Sequence, residues 1–436
     1  MKAEDIISWL SQPEFEVSRS PTTILGKLPD HNQQQPLSPP QSRKRHHMMA
    51  DDSHPTPKRQ RVERDATGLD ETPRASSSRG GLGSQPSLQM APPGSLLPPA
   101  SASQSIQSQP SGRSSPSKQM AALELDPGGI NTRALSLVDP RLPPALSSLL
   151  KELERCHIGI GVISSSLQAE IDKQTEDNPR LGIFATFMFA APADRDQFGP
   201  TLSLDDAVHL VQEATECQVT MQSEVGWNMM VHYPLLFKAI HGQGRQNQLV
   251  DIAPCTTARL IKEYLPTNSQ AKTVDFCIYL TAELNDAARD ATERLRRVLP
   301  CNVINHTEFF PLRDRPIAVS IETKKKGGSQ SVTAELQLGT WHAAQWKFLE
   351  DLVARSGGSF DGLPFLPAVI VRGHDWSFVA TTREGPKTVL WLEKGFGSTT
   401  SPLDVYKTVW GIQRLARWAK EVYWPWFMKN ALGVPE

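Results

Sequence analysis

The chain has 436 residues, and its 46 Lys and Arg residues nearly balance its 47 Asp and Glu residues. Residues 1–118 carry 14 basic and 11 acidic side chains, a net charge of +3, whereas residues 119–436 carry 32 and 36, a net charge of −4. The second part is therefore not a broadly basic nucleic-acid binder, and any nucleic-acid contact there must come from a local patch.

The cysteines and the apolar runs exclude further classes of protein. Five cysteines are scattered along the chain without a CxxC spacing, which argues against a zinc site or a disulfide framework. No apolar run approaches the ~20 residues of a membrane span, so we expect no membrane partner.

Residues 1–118 are predicted to be a disordered leader. They hold 16 of the 35 prolines and one of the ten tryptophans, so they bury too little apolar surface to offset their chain entropy. Two basic clusters, Arg43–Arg45 and Lys58–Arg61, are separated by 12 residues and resemble a bipartite nuclear-import signal. The alternative is a solvated basic tail. We expect a nuclear protein that an import receptor recognises, with the cytoplasm as the second choice.

Residues 119–436 are predicted to form one α/β domain. Helices are predicted at 143–153, 163–173, 204–218, 223–240, 286–298, 333–354 and 402–418, and strands at 248–253, 273–280, 317–324, 368–372, 376–382 and 388–392. Pro234 is expected to kink or break the fourth of these helices. The order of elements indicates a mixed central sheet flanked by helices.

Two of these strands carry polar residues on one face. Side chains alternate along a strand, so Asp275 lies opposite the apolar face of its strand, and Glu322 and Lys324 share the polar face of the next. If the strands are neighbours, the three side chains converge beside a hydrophobic core. Two carboxylates for a hard divalent cation, with a positive charge beside the attacking water, are what metal-assisted cleavage of a phosphodiester needs.

The flanking helices extend this constellation. A helix with Glu224 precedes the strands, and a helix with Gln337 follows them directly. The set resembles the PD-(D/E)xK nuclease superfamily, and more closely the fungal proteins with PD-(D/E)xK nuclease-like domains, over about residues 110–430. The resemblance implies a restriction-endonuclease-like fold with an αβββαβ core. It is carried by the stretches 224–228, 255–259, 274–279, 305–307, 320–324, 335–339, 373–378 and 423–427.

The resemblance also implies roles for the site residues. Asp275 and Glu322 would coordinate Mg²⁺ or Mn²⁺, with the carbonyl of Thr323 as a further ligand. Lys324 would orient or deprotonate the attacking water, or stabilise charge on the phosphate. The alternatives are a surface ion pair for Glu322 and Lys324, and a strand-ending role for Asp275.

The two helices would contribute one residue each. Glu224 would complete the metal shell or hold Lys324, unless it is only a solvated helix residue. Gln337 would position the substrate or Lys324, as the glutamine of the family's QxxxY-type helix does. The chain departs from the family pattern at Val274, where proline is usual, and at Trp341, where tyrosine is usual.

The spacing within the site is longer than usual. Asp275 and Glu322 are 47 positions apart, because the predicted helix at 286–298 and a loop to residue 315 are inserted between them. This insertion would shape or block access to the site.

Three histidines receive structural interpretations. His306 is expected to make a structural hydrogen bond, His232 to lie on a helix face, and His374 to belong to a turn between strands. The aromatic run at 423–427 is expected to be core or interface material because its spacing follows a helix.

Two functions remain. The first is a metal-dependent nuclease, with DNA favoured over RNA as the substrate. The alternative is a catalytically inactive nuclease fold that acts in the nucleus through protein or nucleic-acid contacts. The intact set of Asp, Glu and Lys favours the first, whereas the acidic balance of residues 119–436 favours the second.

Overall fold

The computed structural model describes residues 115–434, except residues 246, 267–268, 270–271 and 327–329. The predicted leader, apart from its last four residues, and both basic clusters lie outside the described residues. The first described helix begins at Pro116, close to the predicted domain boundary at residue 118. None of the described helices is long and apolar enough to cross a bilayer.

The described elements include nine strands and eleven α-helices. The strands are β1 (Ile130–Ala134), β2 (Ile163–Ser164), β3 (Phe189–Ala190), β4 (Val250–Pro254), β5 (Phe276–Leu280), β6 (Ile317–Lys324), β7 (Leu366–Arg372), β8 (Asp375–Glu384) and β9 (Lys387–Gly397). The α-helices are α1 (Pro116–Leu125), α2 (Pro144–Ile158), α3 (Gln168–Asp177), α4 (Pro192–Arg195), α5 (Leu204–Val219), α6 (Glu224–Trp227), α7 (Tyr233–His241), α8 (Asp286–Arg296), α9 (Gln330–Ser356), α10 (Pro402–Trp418) and α11 (Trp424–Trp426).

Seven strands form one mixed sheet in the order β1-β9-β8-β7-β6-β5-β4. The pairs β6–β7 and β1–β9 are parallel, and the other neighbours are antiparallel. Every residue of β6 is buried, as expected for a central strand covered on both faces. A mixed sheet flanked by helices confirms the predicted fold class.

The αβββαβ core is present in chain order. The helical segment of α6 and α7 is followed by the antiparallel strands β4, β5 and β6, and α9 then carries the chain to β7. The parallel pairing of β6 with β7 requires such a long crossover connection. Helix α8 lies between β5 and β6 as the predicted insertion.

The α-helix predicted at 223–240 is interrupted just before Pro234, in line with the expected kink or break. A π-helical turn at Asn228–His232 leads directly into α7, where Pro234 falls in the first turn. Proline has no N–H to donate to the carbonyl four residues earlier, so the regular α-helical hydrogen-bond pattern cannot continue through this position.

Two elements near the start of the domain differ from the prediction. The chain at 163–173 is helical only from Gln168, because Ile163–Ser164 pairs with Phe189–Ala190 in a small second sheet. Strand β1 was not predicted. Its sequence shows no clear apolar alternation, and its partner β9 lies about 250 residues further along the chain.

Other predicted elements are confirmed. Helix α10 and strand β6 have the predicted bounds, and the Ser203 hydroxyl caps α5 by accepting from the Asp206 amide at 3.1 Å. In the C-terminal aromatic run, Tyr423, Trp426 and Phe427 are buried, so this run belongs to the core.

Candidate active site

The candidate site forms where β5 begins and β6 ends. Phe276 pairs with Ile321 in the antiparallel register, and the Asp275 amide donates to the Ile321 carbonyl at 3.1 Å. The next residues outward, Asp275 and Glu322, therefore lie across from each other on the same face. Asp275, Glu322 and Lys324 are all buried, so the structure brings the three predicted residues together inside the domain.

Asp275 is held by three hydrogen bonds. Its Oδ2 accepts from the backbone amide of Thr323 at 2.8 Å and from the Thr323 hydroxyl at 2.9 Å. Its Oδ1 accepts from the side-chain amide of Asn228 at 3.2 Å. These bonds fix the carboxylate in one orientation toward the end of β6.

Three oxygen atoms of neighbouring groups surround the ammonium group of Lys324. Its Nζ contacts Oε1 of Glu322, donates to the Thr323 carbonyl at 2.8 Å and lies 3.5 Å from Oε1 of Glu224. Burial opposes the charge on Lys324, but the carboxylates of Glu322 and Glu224 outweigh it and raise the pKa of the amine. Lys324 is therefore a cation at neutral pH, which suits it to hold water and phosphate oxygens rather than to accept a proton.

The carboxylates carry more negative charge than Lys324 balances. Burial and the neighbouring Asp275 raise the pKa of Glu322 well above its usual range. Burial also raises the pKa of Glu224, again with Asp275 adding to the effect. Three carboxylates against one ammonium leave a formal surplus of two negative charges when all are ionised. Oε2 of Glu322 is buried without a hydrogen-bond partner in the described part of the chain.

The donor set fits a hard divalent cation. Carboxylate oxygens are the ligands that Mg²⁺ and Mn²⁺ prefer, and the unpartnered Oε2 of Glu322 is an available acceptor. A divalent charge would also balance the surplus of the cluster. Within the described residues, no group of three or more His, Cys, Asp or Glu side chains is drawn together closely enough to form a complete ligand set.

The structure places Gln337 beside the site but not on Lys324. From α9, its side-chain amide donates to the carbonyl of Thr273 at 3.4 Å, two residues before Asp275. The Thr323 carbonyl, expected as a metal ligand, accepts from Lys324 instead.

Two supporting residues escaped the sequence analysis. Nδ1 of His232 lies 2.9 Å from Oδ1 of Asn228, the residue that bonds Asp275, and Nε2 lies 3.0 Å from the carbonyl oxygen of Gly373. Burial lowers the pKa of His232 to about 4, so the ring is neutral and donates to one acceptor at a time. The i, i+4 spacing of Asn228 and His232 places them on one helix face, a signal that could have linked them.

The other two histidines lie apart from the carboxylates. Gly373 and His374 form the turn between β7 and β8, as predicted, and Nδ1 of His374 lies 2.9 Å from the Thr399 hydroxyl. The hydrogen bond expected of His306 is wrong. Both of its ring nitrogens are buried without a described partner, and the ring packs edge-on against Trp341 with centroids 4.5 Å apart.

The family model described as the PD-(D/E)XK nuclease superfamily matches residues 173–424. This range is more than half of the chain and contains all of the predicted site residues. No curated protein and no solved structure gives a significant match. The family match and the αβββαβ core together show that this chain belongs to the PD-(D/E)XK nuclease superfamily.

Proposed function

We propose that the protein is a metal-dependent nuclease that hydrolyses phosphodiester bonds in nucleic acid, with DNA as the favoured substrate. Superfamily membership supports nuclease-like chemistry. The observation that carries the dependence on metal is the surplus negative charge around Glu322, whose buried Oε2 has no described partner. Buried charges are retained in proteins when they are paired or bind a metal.

The carboxylates of Asp275, Glu322 and Glu224 would hold Mg²⁺ or Mn²⁺. The bound ion would supply Lewis-acid stabilisation of the charge that develops on the phosphate. The three hydrogen bonds on Asp275 fix its orientation before any substrate arrives, and such preorganisation lowers the cost of stabilising the transition state.

Lys324 is the side chain that would supply positive charge at the site in addition to the metal ion. Its ammonium donates to oxygen acceptors, and attack of water on a phosphodiester places new negative charge on the phosphate oxygens. Lys324 would position the water and bind these oxygens, while the buried walls around it keep the local dielectric constant low. Because the pKa of Lys324 is raised, its ammonium group does not accept a proton from the attacking water. Another group would have to accept that proton.

One observation favours the inactive binding module. Both oxygens of Asp275 already accept hydrogen bonds, which leaves this carboxylate less free to bind an ion. An idle nuclease fold would keep these bonds and bind no divalent cation.

The test compares cleavage by the wild-type protein and by Lys324→Ala. Supercoiled DNA, linear DNA and RNA are each incubated with Mg²⁺ or Mn²⁺, and products are followed on gels. We expect cleavage of DNA, reduced on the order of a hundredfold or more by Lys324→Ala. Lys326→Ala is the matched control, because Lys326 is exposed and paired only with exposed Asp375 among the described residues. It should change the rate by less than about twofold.

One result would refute the nuclease, and another would refute the role of Lys324. If the wild-type protein cleaves neither DNA nor RNA and calorimetry detects no binding of divalent cations, the proposal is refuted and the binding module remains. Equal losses in Lys324→Ala and Lys326→Ala would instead remove Lys324 from the proposed machinery.

We further propose import into the nucleus through Arg43–Arg45 and Lys58–Arg61. The support is the spacing of the two basic clusters in the sequence. Replacement of both clusters by alanine should leave a fluorescently tagged protein in the cytoplasm, and replacement of one should give an intermediate distribution. Unchanged nuclear import would disprove this part of the proposal.

A further inference from the structure

A cleft of about 770 Å³ lies next to the candidate active site. One wall is the turn that follows β4, with Thr256, Thr257 and Arg259, and the other is the insertion between β5 and β6, with Phe310. The volume is in the range of ligand-binding clefts. The insertion therefore shapes an approach to this part of the sheet.

The cleft adjoins the catalytic strands directly. Thr273 belongs to its lining, and Thr273 lies two residues before Asp275. The Thr273 carbonyl is also the acceptor for the side-chain amide of Gln337 from α9, at 3.4 Å. A ligand in the cleft would therefore lie beside the segment that leads into β5 and carries the proposed metal-binding carboxylate.

Hydrogen bonds hold the two walls together. The Thr307 hydroxyl and the Glu308 amide both donate to the carbonyl of Arg259, at 2.7 and 3.0 Å. The Ile261 amide donates to the carbonyl of His306 at 3.0 Å. The cleft is therefore a built feature of the fold, and a ligand would not have to order its walls.

Phe310 provides an exposed aromatic surface on one wall. Its side chain is 70% exposed, and the guanidinium of Arg313 lies 4.5 Å from the ring centroid. A cation over one face of a ring orients the ring and leaves the other face open. Exposed aromatic rings of this kind stack on nucleobases, which all present a flat π-face.

Arg259 provides a positive charge on the opposite wall. It is exposed, and its guanidinium makes no ion pair with a described carboxylate. Thr256 and Thr257, also exposed, add hydroxyl donors of the kind that bind phosphate oxygens. Glu308 lines the cleft as well, so its overall charge is balanced and stacking must supply most of the affinity.

We propose that this cleft binds an unpaired nucleotide of the nucleic-acid substrate, with its base stacked on Phe310 and its phosphate on Arg259. The base must be unpaired because the faces of bases in a duplex are covered by their neighbours. This inference rests on the proposed nuclease function and adds a substrate class to it: nucleic acid with a single-stranded extension or flap next to the cleaved bond.

The test measures binding without cleavage. Fluorescence anisotropy of a labelled twelve-residue oligothymidylate is recorded with the full-length protein in EDTA, against a blunt duplex of the same length. Phe310→Ala should weaken binding of the single strand about tenfold, and Phe310→Trp should restore it. Arg259→Gln should weaken binding and reduce the slope of log K against log salt by about 0.7, the value for one phosphate contact on a single strand.

Matched controls come from another part of the domain. Phe187 is 52% exposed outside the cleft, and Arg180 is an exposed arginine in a short turn. Phe187→Ala and Arg180→Gln should leave both the affinity and the salt slope unchanged. All five variants are surface changes, and equal melting temperatures would establish that each is folded.

The outcomes separate the cleft from the nuclease activity. The inference is overturned if the wild-type protein does not bind the oligothymidylate, if Phe310→Ala binds it as well as Phe187→Ala does, or if the blunt duplex binds equally well. If the protein cleaves DNA with Mg²⁺ but shows any of these results, the proposed nuclease function stands and the proposed role of the cleft is refuted. If the protein binds single strands through Phe310 but never cleaves nucleic acid, the proposed role of the cleft stands and the nuclease function is refuted.

Discussion

Two polar clusters lie side by side at the end of β6, both buried except for the half-exposed Glu224, and they differ in charge. The carboxylate cluster consists of Asp275, Glu322, Glu224 and Lys324. The raised pKa values of Glu224 and Glu322 show that burial and the neighbouring Asp275 oppose the negative charges of these two side chains. With all its carboxyl groups ionised, the cluster reaches charge balance only when further positive charge is added.

The histidine cluster consists of His232 and His374 between Trp227 and Trp376. The His232 ring stacks on Trp227 and meets Trp376 edge-on, with centroids 5.6 Å apart in both cases. Burial lowers the pKa of both histidines, so both are neutral at pH 7. The Gly373 amide donates to the Lys324 carbonyl at 3.0 Å and joins this cluster to the carboxylates.

The difference distinguishes a site from its support. Burial alone does not mark a binding site, because both clusters are buried and polar. The histidine cluster has shed its charge and packs against aromatic rings, as a stabilising core does. In the carboxylate cluster, burial and the neighbouring charges oppose the ionised forms of Glu224 and Glu322, and such stored cost is typical of positions where a ligand is expected.

The largest expected effect follows from Asp275→Asn. The replacement amide offers one acceptor, so its NH₂ group must face either the Thr323 amide or the Asn228 side chain, both of which are donors. It also removes one of the charges that would hold the metal. We expect cleavage to fall on the order of a thousandfold, and binding of Mn²⁺ measured by calorimetry to be lost.

Asp251→Asn is the control for a hydrogen-bonded aspartate in general. Asp251 lies on the neighbouring strand β4 and accepts from His241, Tyr279 and Arg245 at 2.7 to 2.8 Å. Its replacement should lower stability while the folded protein keeps its cleavage rate and its affinity for Mn²⁺. Similar losses of cleavage in both variants would remove the distinction between the carboxylate cluster and an ordinary buried aspartate.

A smaller effect, on stability rather than on cleavage, is expected from a substitution in the histidine cluster. His232→Ala leaves a cavity beside Trp227 and Trp376 and takes away the ring that contacts Asn228 and Gly373. We expect the free energy of unfolding to fall by about 3 kcal/mol, measured by urea denaturation in EDTA.

The exposed His157 near the end of α2 supplies the control for this prediction. His157→Ala should change the unfolding free energy by less than about 0.5 kcal/mol. If His232→Ala were equally mild, the histidine cluster would not be a stabilising core, and its contacts with Asn228 would need another role.

Three members of the carboxylate cluster could be predicted from sequence because they lie at the ends of two strands with clear apolar patterns. Alternation of side chains puts Glu322 and Lys324 on one face, and the antiparallel pairing of β5 with β6 adds Asp275. The strong apolar pattern also defines β6 and α10 to the residue.

The rest depends on contacts that no local pattern encodes. Asn228 reaches Asp275 across 47 positions, and His232 reaches Gly373 across 141. Strand β1 forms only because β9 offers it a parallel edge. The charges on the carboxylates likewise depend on burial, which a sequence states only as a tendency.

A further, smaller effect is a gain in stability. Glu322→Gln removes a buried carboxyl whose ionised form is opposed by burial, and Lys324 keeps Glu224 at 3.5 Å as a partner. In EDTA at pH 7.5, we expect the melting temperature to rise by about 2 °C, while cleavage and Mn²⁺ binding are lost.

Glu393→Gln provides a control with the opposite expectation. Glu393 forms a two-point ion pair with Arg372, the residue paired with Lys324 in the sheet register, and its replacement should leave the melting temperature unchanged or lower it. A loss of stability in Glu322→Gln would show that the charge of Glu322 stabilises the metal-free fold, contrary to the comparison.

The smallest expected effect is a change with pH in the stability that Glu322→Gln gains over the wild-type protein. The pKa of Glu322 is higher in the folded protein than its ordinary value of 4.5, so the folded state binds the proton more tightly. The stability contributed by that proton is full below pH 4.5 and is lost as the pH rises through the folded-state pKa. The advantage of Glu322→Gln in EDTA should therefore be largest at high pH and should disappear on acidification, when the wild-type carboxyl also becomes neutral.

His232 contributes a pH dependence of the opposite sign. Its pKa falls from 6.5 to about 4 on folding, so its stabilising effect is full above pH 6.5 and is lost as the pH falls toward 4. Raw melting curves of the wild-type protein mix the two effects, and the difference between Glu322→Gln and wild type at each pH isolates the carboxylate. A difference that stays constant from pH 8 to pH 5 would place the Glu322 carboxyl in one protonation state throughout. The carboxyl would then be ionised in both the folded and the unfolded state, and the raised pKa inferred for Glu322 would be wrong.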